Sequence, residues 1–322
     1  MTIAQIAVPI IWPLLPPAIE RLDAANLPAR LRIALCYGWR HRRLVNLSQP
    51  ARFTELVQRR KLDEPPAQYA ALLDKLAAKK LAARMLGTEW TVPTLWSGET
   101  LPAERPFPCP AILKARHGCN QNRILRQPPS LQEWQELRQL TLKWTRQPYG
   151  FWLDEPAYRL VPRGLLAEPL LDAGTGTLPV DYKIYVFGGH AAYVQVHLGR
   201  AGAHRWILHD RNWRQLVPSP DHPPRPGSLP AMLDAAETLA AGMDFVRVDF
   251  YEIGGQPLFG EFCLYPGSGL DPFAADWIDA EMGALWLAAS ARRSQPGSAT
   301  SAVSETNTSS RSGSRVVTSS IP

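Results

Sequence analysis

The sequence predicts an α+β fold, because segments with the pattern of paired strands alternate with segments that have the pattern of amphipathic helices. Two alternating apolar and polar stretches each run into a Gly-Gly pair and a second apolar run, which indicates β-hairpins over residues 181–198 and 245–264. Helical patterns cover residues 27–43, 68–86, 130–145 and 229–242. The length of 322 residues and the 45% hydrophobic content suit a soluble protein with two or three subdomains.

The N-terminal region, residues 1–66, predicts an apolar arm followed by helices. Met1 to Ile19 contains no charged residue, but four prolines interrupt it and no basic region precedes it. We expect this arm to pack on the rest of the protein, with peripheral membrane contact as the alternative. At the other end, the Ser/Thr/Gly-rich composition of residues 293–322 predicts a disordered tail.

A lysine at the end of a strand marks the next informative stretch, residues 109–125. Ala111 to Lys114 predicts a strand, a polar turn follows around Gly118, and the chain returns by Leu125. A lysine charge and the backbone N–H groups of a turn can converge on one anion, so this hairpin predicts phosphate binding. The P-loop signature is absent from the sequence.

Two carboxylates are expected on the hairpin at residues 245–264. The period of two places Arg247 and Asp249 on one face of the first strand, and Glu261 on the return strand close to Asp249. Such a pair suits Mg²⁺, which takes oxygen ligands and bridges to phosphates. The alternative is a surface hairpin with ordinary charges. The glycine-rich turn at residues 266–269 adds backbone N–H groups suited to an anion.

These motifs in this order resemble the ATP-grasp enzymes, and more narrowly the TupA-like branch of bacterial polysaccharide biosynthesis. In chain order the motifs are D-K (residues 74–75), K-x-x-H-G (114–118), D-Y-K (181–183), R-V-D-F (247–250), G-E-F (260–262) and Y-P-G-S-G (265–269). The resemblance covers residues 46–291. It implies an ATP-grasp fold with two α+β subdomains closing on ATP, a core over residues 67–292 and a hinge near Glu168.

The same resemblance implies a role for each site residue. Asp249 and Glu261 would hold Mg²⁺ on the ATP phosphates, with Arg247 and Lys183 facing the transferred phosphoryl group. Backbone groups of Gly267, Ser268 and Gly269 would stabilise an oxyanion. The implied nucleotide-binding residues are Lys75, Lys114, His117, Gly118, Asn122, Glu168 and Asp181. Many relatives carry Asn where this chain has Cys263, whose sulfur suits Mg²⁺ poorly, so a second metal ion stays open.

Composition narrows the partners only in part. The net charge of +6 and the pI near 9.2 favour acidic partners, and the scattered basic residues do not predict nucleic-acid binding. The four cysteines form no C-x-x-C pair, so neither a zinc site nor a disulfide framework is indicated. A reducing, cytoplasmic location fits best. Residues 200–213 predict a polar loop that binds substrate or is simply solvated.

The resemblance implies ATP-dependent ligation of a carboxylate to an amine through an acyl phosphate. The expected partners are ATP and an anionic sugar or amino-acid substrate, with an amino acid or peptide joined to a uronic acid as the most concrete case. Three alternatives stay open: an ATP-dependent kinase, a glycosyltransferase, and a catalytically silent nucleotide-binding component of a polysaccharide assembly complex. The sequence leaves the oligomeric state open.

Overall fold

The computed structural model describes residues 28–147, 149–172, 178–199 and 205–294. The arm predicted at residues 1–19 and nearly all of the tail predicted at residues 293–322 lie outside these ranges. Within the described ranges, no helix is both long and apolar enough to cross a membrane.

The helices and strands of the described residues match most of the predicted segments. The helices are α1 (Ala29–His41), α2 (Phe53–Asp63), α3 (Ala67–Leu73), α4 (Lys75–Leu86), α5 (Leu131–Arg146), α6 (Leu229–Leu239) and α7 (Asp276–Arg293). The strands are β1 (Trp96–Gly98), β2 (Ala111–Ala115), β3 (Asn122–Leu125), β4 (Leu165–Pro169), β5 (Asp181–Phe187), β6 (His190–Leu198), β7 (Arg205–Asp210), β8 (Phe245–Ile253) and β9 (Gln256–Cys263).

The smaller sheet has four antiparallel strands in the order β1-β4-β2-β3. Alternation along β2 buries Ala111, Leu113 and Ala115 in a core that includes Trp134 of α5. Lys114 therefore points to the opposite face. Its Cα lies opposite Asn122 across β2 and β3, which confirms the predicted hairpin.

The larger sheet has five antiparallel strands in the order β7-β6-β5-β8-β9. Both predicted Gly-Gly turns are confirmed: Gly188 and Gly189 join β5 to β6, and Gly254 and Gly255 join β8 to β9, all at positive φ angles between 58° and 81°. Two consecutive residues at positive φ match the right-handed twist of a hairpin, and glycine adopts this conformation without steric cost.

Strand β7 corrects the polar loop predicted over residues 200–213. Ile207 and Leu208 are buried, and their Cα atoms lie opposite Val196 and Gln195 of β6. The short apolar run at these two positions is enough to pair with the sheet although charged residues flank it. Residues 200–204 lie outside the described ranges.

The N-terminal helix α2 is part of the same core as the larger sheet. Its Arg60 side chain is 0% exposed, pairs with Asp244 at 2.7 Å and Glu64 at 3.0 Å, and lies 4.3 Å from the ring centroid of Trp286. Removing one partner of a buried ion pair costs about 3–5 kcal/mol. Because α2 is bound to the sheet in this way, a boundary at residue 66 does not separate two hydrophobic cores.

Candidate active site

Lys75 reaches the site because the helix predicted over residues 68–86 is broken at Asp74. The backbone of Asp74 is extended between α3 and α4, so the prediction of one continuous helix was wrong. The Asp74 carboxylate caps α4 and also pairs with Nε and Nη2 of Arg116 at 2.6 and 2.5 Å. These bonds stabilise the break. Lys75 is thereby the first residue of α4, and its Nζ lies 2.9 Å from Glu261 Oε2.

The Glu168 carboxylate lies between two lysines. Lys114 Nζ of β2 donates to Glu168 Oε2 at 2.6 Å, and Lys79 Nζ of α4 donates to Oε1. Burial alone would raise the pKa of Glu168, but the two ammonium groups outweigh it and hold that pKa below its usual range. Glu168 therefore stays ionised and keeps both lysines beside the cavity.

A second charged cluster lies at the centre of the larger sheet. Arg247 donates from Nε and Nη2 to the two carboxylate oxygens of Asp249 at 2.7 and 2.8 Å. Lys183 Nζ pairs with Asp249 and lies 2.7 Å from Asp181 Oδ2. Burial disfavours the charged guanidinium, yet the Asp249 carboxylate raises the pKa of Arg247 well above its ordinary value. The predicted common face of Arg247 and Asp249 is confirmed.

Glu261 and Asp249 are brought together by the β8–β9 hairpin. Their Cα atoms are register partners, as predicted. Burial raises the pKa of Glu261, but the Lys75 and Lys183 ammonium groups outweigh burial and lower that pKa. The carboxylate therefore stays ionised between two cations.

The first cavity has a volume of about 460 Å³ and lies between the two sheets. Part of its wall is apolar, from Ile112, Ile124, Leu170, Leu171 and Phe259. Most of the predicted site residues line the rest of it: Lys75, Lys114, Gly118, Asn122, Glu168, Asp181, Lys183, Asp249 and Glu261. A mixed apolar and cationic wall is suited to a ligand that has a flat apolar end and an anionic end.

A second cavity of about 440 Å³ adjoins the first. Cys119, Asn120, Lys183 and Glu261 line both cavities. Arg247, Gly267 and Ser268 line only the second among the predicted site residues. The site is therefore divided into two compartments with a common wall.

His117 is not brought to either cavity, which corrects its expected place over the nucleotide. Its side chain is 0% exposed, and its Nε2 lies 2.9 Å from the backbone oxygen of Trp144. Burial lowers the pKa of His117, so the ring is neutral near pH 7. The residue ties the β2–β3 turn to the end of α5.

The polar groups of the glycine-rich turn that were expected to stabilise an oxyanion are partly used in hydrogen bonds within the protein. Gly267, Ser268 and Gly269 have φ angles of 53°, 56° and 63°. The amide of Ser268 donates to the Tyr265 oxygen at 2.8 Å, so this N–H is already used. Lys61 Nζ donates to the backbone oxygen and Oγ of Ser268 at 2.8 and 2.7 Å. The turn therefore presents fewer N–H groups than the sequence suggested.

The carboxylates present fit Mg²⁺ only together with oxygen atoms from a bound phosphate. Asp249 and Glu261 are two hard oxygen ligands on neighbouring strands, whereas Mg²⁺ takes six. No group of three or more His, Cys, Asp or Glu side chains in the described part of the chain is placed to hold a metal ion by itself. Burial raises the pKa of Cys263, whose thiol therefore stays neutral and is a poor ligand for Mg²⁺.

Two residues of the site were missed by the sequence reasoning. Lys79 lies one helical turn after Lys75, and this i, i+4 spacing could have identified it. Glu155 lines the second cavity and is buried. It lies in a connection between α5 and β4, where no periodicity marks it.

The smaller sheet contributes Lys114 and Glu168 to the shared cavity, and the larger sheet contributes Lys183, Asp249 and Glu261. Two antiparallel sheets around one charged cavity agree with an ATP-grasp fold. The family model described as TupA-like ATPgrasp matches residues 55–287. The chain therefore belongs to the TupA-like ATP-grasp family, as the sequence motifs predicted. A search of curated proteins found no match.

Several solved structures resemble the chain weakly. D-alanine–D-alanine ligase from Bacillus anthracis, complexed with ATP, is 14% identical with a TM-score of 0.42, and the match covers 69% of this chain and 67% of that one. The L-amino acid ligase from Bacillus licheniformis is 14% identical with a TM-score of 0.40, covering 80% and 50%. ATP-grasp ligase PsnB, complexed with a precursor variant, Mg and ADP, is 14% identical with a TM-score of 0.39, covering 70% and 60%. At these scores, the family match assigns the chain and the structural neighbours do not.

Proposed function

We propose that the protein is an ATP-dependent ligase that activates a carboxylate as an acyl phosphate and joins it to an amine. The main support for this proposal is the set of charged side chains that line the first cavity. Lys75, Lys114 and Lys183 come from three different elements and line it together with the Asp249 and Glu261 carboxylates. Positive charge beside a carboxylate pair is the arrangement that phosphoryl transfer requires, because charge on the phosphoryl group must be dispersed.

Binding of ATP exchanges one set of ion pairs for another. Lys114 and Lys75 pair with Glu168 and Glu261. In the proposed complex their ammonium groups turn to the phosphates, and the apolar wall holds the base. Asp249 and Glu261 would hold Mg²⁺, which supplies charge neutralisation on the phosphate oxygens when it is bound.

The reaction then runs in two transfers. An oxygen of the substrate carboxylate attacks the γ-phosphorus atom and ADP leaves, while Arg247 and Lys183 stabilise the charge on the phosphoryl group. The amine then attacks the acyl carbon, and phosphate leaves with the electron pair of the C–O bond. We place the carboxylate and the amine in the second cavity, because it shares Lys183 and Glu261 with the first.

For the substrates we propose a uronic acid and an amino acid or peptide, within cell-surface polysaccharide biosynthesis. Family membership supports this class. The second cavity adds the aromatic side chains of Trp206 and Phe273, whose ring centroids are 6.2 Å apart. Aromatic faces of this kind pack against the C–H faces of a sugar ring. A reducing, cytoplasmic location fits the need for ATP and the four unpaired cysteines.

The test measures ADP release and trapped acyl phosphate with Mg²⁺, ATP and a panel of carboxylates that includes D-glucuronate and D-galacturonate. Without an amine, hydroxylamine should convert the acyl phosphate into a hydroxamate, and Asp249→Asn should abolish it. With L-alanine or L-glutamate present, an amide should form. A stable phosphate ester in place of the hydroxamate would identify a kinase. No ADP with any substrate would identify a silent nucleotide-binding protein.

A further inference from the structure

The buried carboxylate of Glu155 faces the second cavity and takes no part in the charge pairs of the first. Only 4% of the residue is exposed, and it lines the cavity with Cys119, Tyr158 and Ser268. In the part of the chain that the structure describes, no Lys, Arg or His nitrogen lies within 4.0 Å of its carboxylate oxygens. Ser268 is its side-chain hydrogen-bond partner. A buried carboxylate without a direct ion pair destabilises a fold, and the Lys61 ammonium acts on this one only from beyond that distance, which indicates a functional reason for its place.

The position of Glu155 is fixed by its neighbours. Arg32 of α1 donates from Nε to Asp154 Oδ2 at 3.1 Å, which anchors the preceding residue. Gly150 leaves room for the carboxylate, since a Cβ there would lie 3.1 Å from Glu155 Oε2. Lys61 holds Ser268 through its backbone oxygen and its Oγ. The carboxylate is therefore held in one orientation at the cavity wall.

The surroundings of Glu155 suit proton uptake near neutral pH. Burial raises the pKa of Glu155 to about 7, although the Lys61 ammonium and the Ser268 hydrogen bond act in the opposite direction. The titratable groups that face it are Lys61, Cys119, Tyr149, Tyr158 and Tyr265. Burial raises the pKa of Cys119 to about 11, and burial also raises the pKa of each of these tyrosines. Lys61 is therefore the member of this set that carries charge beside Glu155.

We propose that the second cavity binds the acceptor amine and that Glu155 is the base that takes its proton. This inference rests on the proposed ligase function. The amine arrives as an ammonium ion, whose lone pair is blocked by a proton. Glu155 accepts that proton, the nitrogen forms a bond with the acyl carbon, and the C–O bond to phosphate breaks. The second proton lost by nitrogen leaves on the phosphate, so atoms and charge balance.

The test measures acyl phosphate formation and amide formation separately in Glu155→Gln. Each assay uses the uronate of the panel, D-glucuronate or D-galacturonate, that gives hydroxamate with the wild type. Hydroxylamine is largely neutral at pH 7 and needs no base, whereas L-alanine does. Glu136→Gln, on the exposed side of α5, is the matched control.

Glu155→Gln should form hydroxamate within about two-fold of the wild type, because acyl phosphate formation is intact. Its amide formation at pH 7 should fall about 100-fold, the usual contribution of a positioned base. The deficit should shrink as the pH rises to about 9 and above, because a growing fraction of the L-alanine amine is then neutral without a base. A purely structural role for Glu155 would not produce this recovery.

Two outcomes would overturn the inference. Unchanged amide formation in Glu155→Gln removes the residue from the chemistry, and equal loss of hydroxamate and amide assigns it to the first transfer or to folding. If Glu155→Gln does not fold, Glu155→Asp is the variant to measure, because it keeps the charge and moves it back by one methylene. It should slow amide formation and leave hydroxamate formation unchanged. Absence of hydroxamate in the wild type, by contrast, refutes the ligase function itself.

Discussion

The two cavities differ in how their buried carboxylates are paired. In the first, Lys75 and Lys114 pair with Glu261 and Glu168. In the second, Glu155 is buried with no basic nitrogen within 4.0 Å in the described ranges. Paired charges can be exchanged for those of a polyanion at modest cost, whereas an unpaired carboxylate favours a cation or a proton. The difference supports the proposed placement of the anionic nucleotide in the first cavity and of the amine in the second.

The largest expected effect comes from removing a charge at the common wall. Glu261→Gln should lower ADP formation about 100-fold or more, because the amide keeps the shape and loses the charge that we propose holds the metal ion on the phosphates. ATP affinity should be largely retained, since Lys75 loses its carboxylate partner and is freed for phosphate. Initial-rate assays and calorimetric titration measure the two quantities.

The matched control is Glu99→Gln, an exposed glutamate after β1. It should leave both quantities unchanged. Loss of ATP binding in Glu261→Gln with turnover per bound ATP preserved would contradict the distinction between the compartments, because Glu261 would then serve only affinity.

A smaller effect is expected in the first cavity alone. Lys114→Ala should raise the Kd for ATP about ten-fold, the loss expected for one charge-assisted hydrogen bond. The fold should persist, because Glu168 keeps its pair with Lys79. Calorimetric titration with ATP checks the prediction, and Lys143→Ala on the exposed side of α5 is the control. Unchanged ATP affinity in folded Lys114→Ala would remove this lysine from the nucleotide site.

The last effect is on stability rather than on binding or turnover, and it comes from the second cavity. The pKa of Glu155 is raised from 4.5 to about 7, so the folded state binds more protons than the unfolded state between these values. This contribution to stability is complete below about pH 4.5 and is lost as the pH rises through about 7. Relative to Glu155→Gln, the wild type should lose on the order of 1–3 kcal/mol of unfolding free energy between about pH 5 and 7.5.

Urea unfolding at several pH values measures this difference. The window ends near pH 7.5 because burial lowers the pKa of Lys61 to about 8, and its deprotonation acts in the opposite direction at higher pH. A constant difference between the two proteins from pH 5 to 7.5 would show that Glu155 is ionised throughout, as an ion-paired carboxylate would be.

The sequence predicted the parts of the site in which side-chain period and turn chemistry act locally. Alternation along β8 and the Gly-Gly turn set the register that joins Asp249 to Glu261, and both can be read from adjacent residues. The prediction for His117 was wrong because the role of this residue depends on the Trp144 carbonyl, 27 positions away in the chain. No local pattern could specify that contact.

The break in the helix at Asp74 also depends on a contact with a residue that is distant in the sequence. The Ala- and Leu-rich pattern over residues 68–86 favours one helix, and intrinsic propensity is a weak guide where tertiary contacts compete. Here the competing contact is Arg116, which reaches Asp74 from the β2–β3 hairpin. The sequence did not predict a role for Glu155 for a similar reason, since that role depends on a cavity that α2 and the glycine-rich turn form only in the folded protein.

The common wall of Lys183 and Glu261 has a consequence for inhibition. On the proposed assignment of nucleotide and amine to the two cavities, a compound that joins an ADP group to an amino acid through a phosphinate would span both compartments at once. Once one half is seated, the other half binds at a high effective concentration, so the affinities combine beyond either fragment alone. The adjoining volumes of about 460 and 440 Å³ leave room for such a molecule, and its potency would depend on how short its linker is.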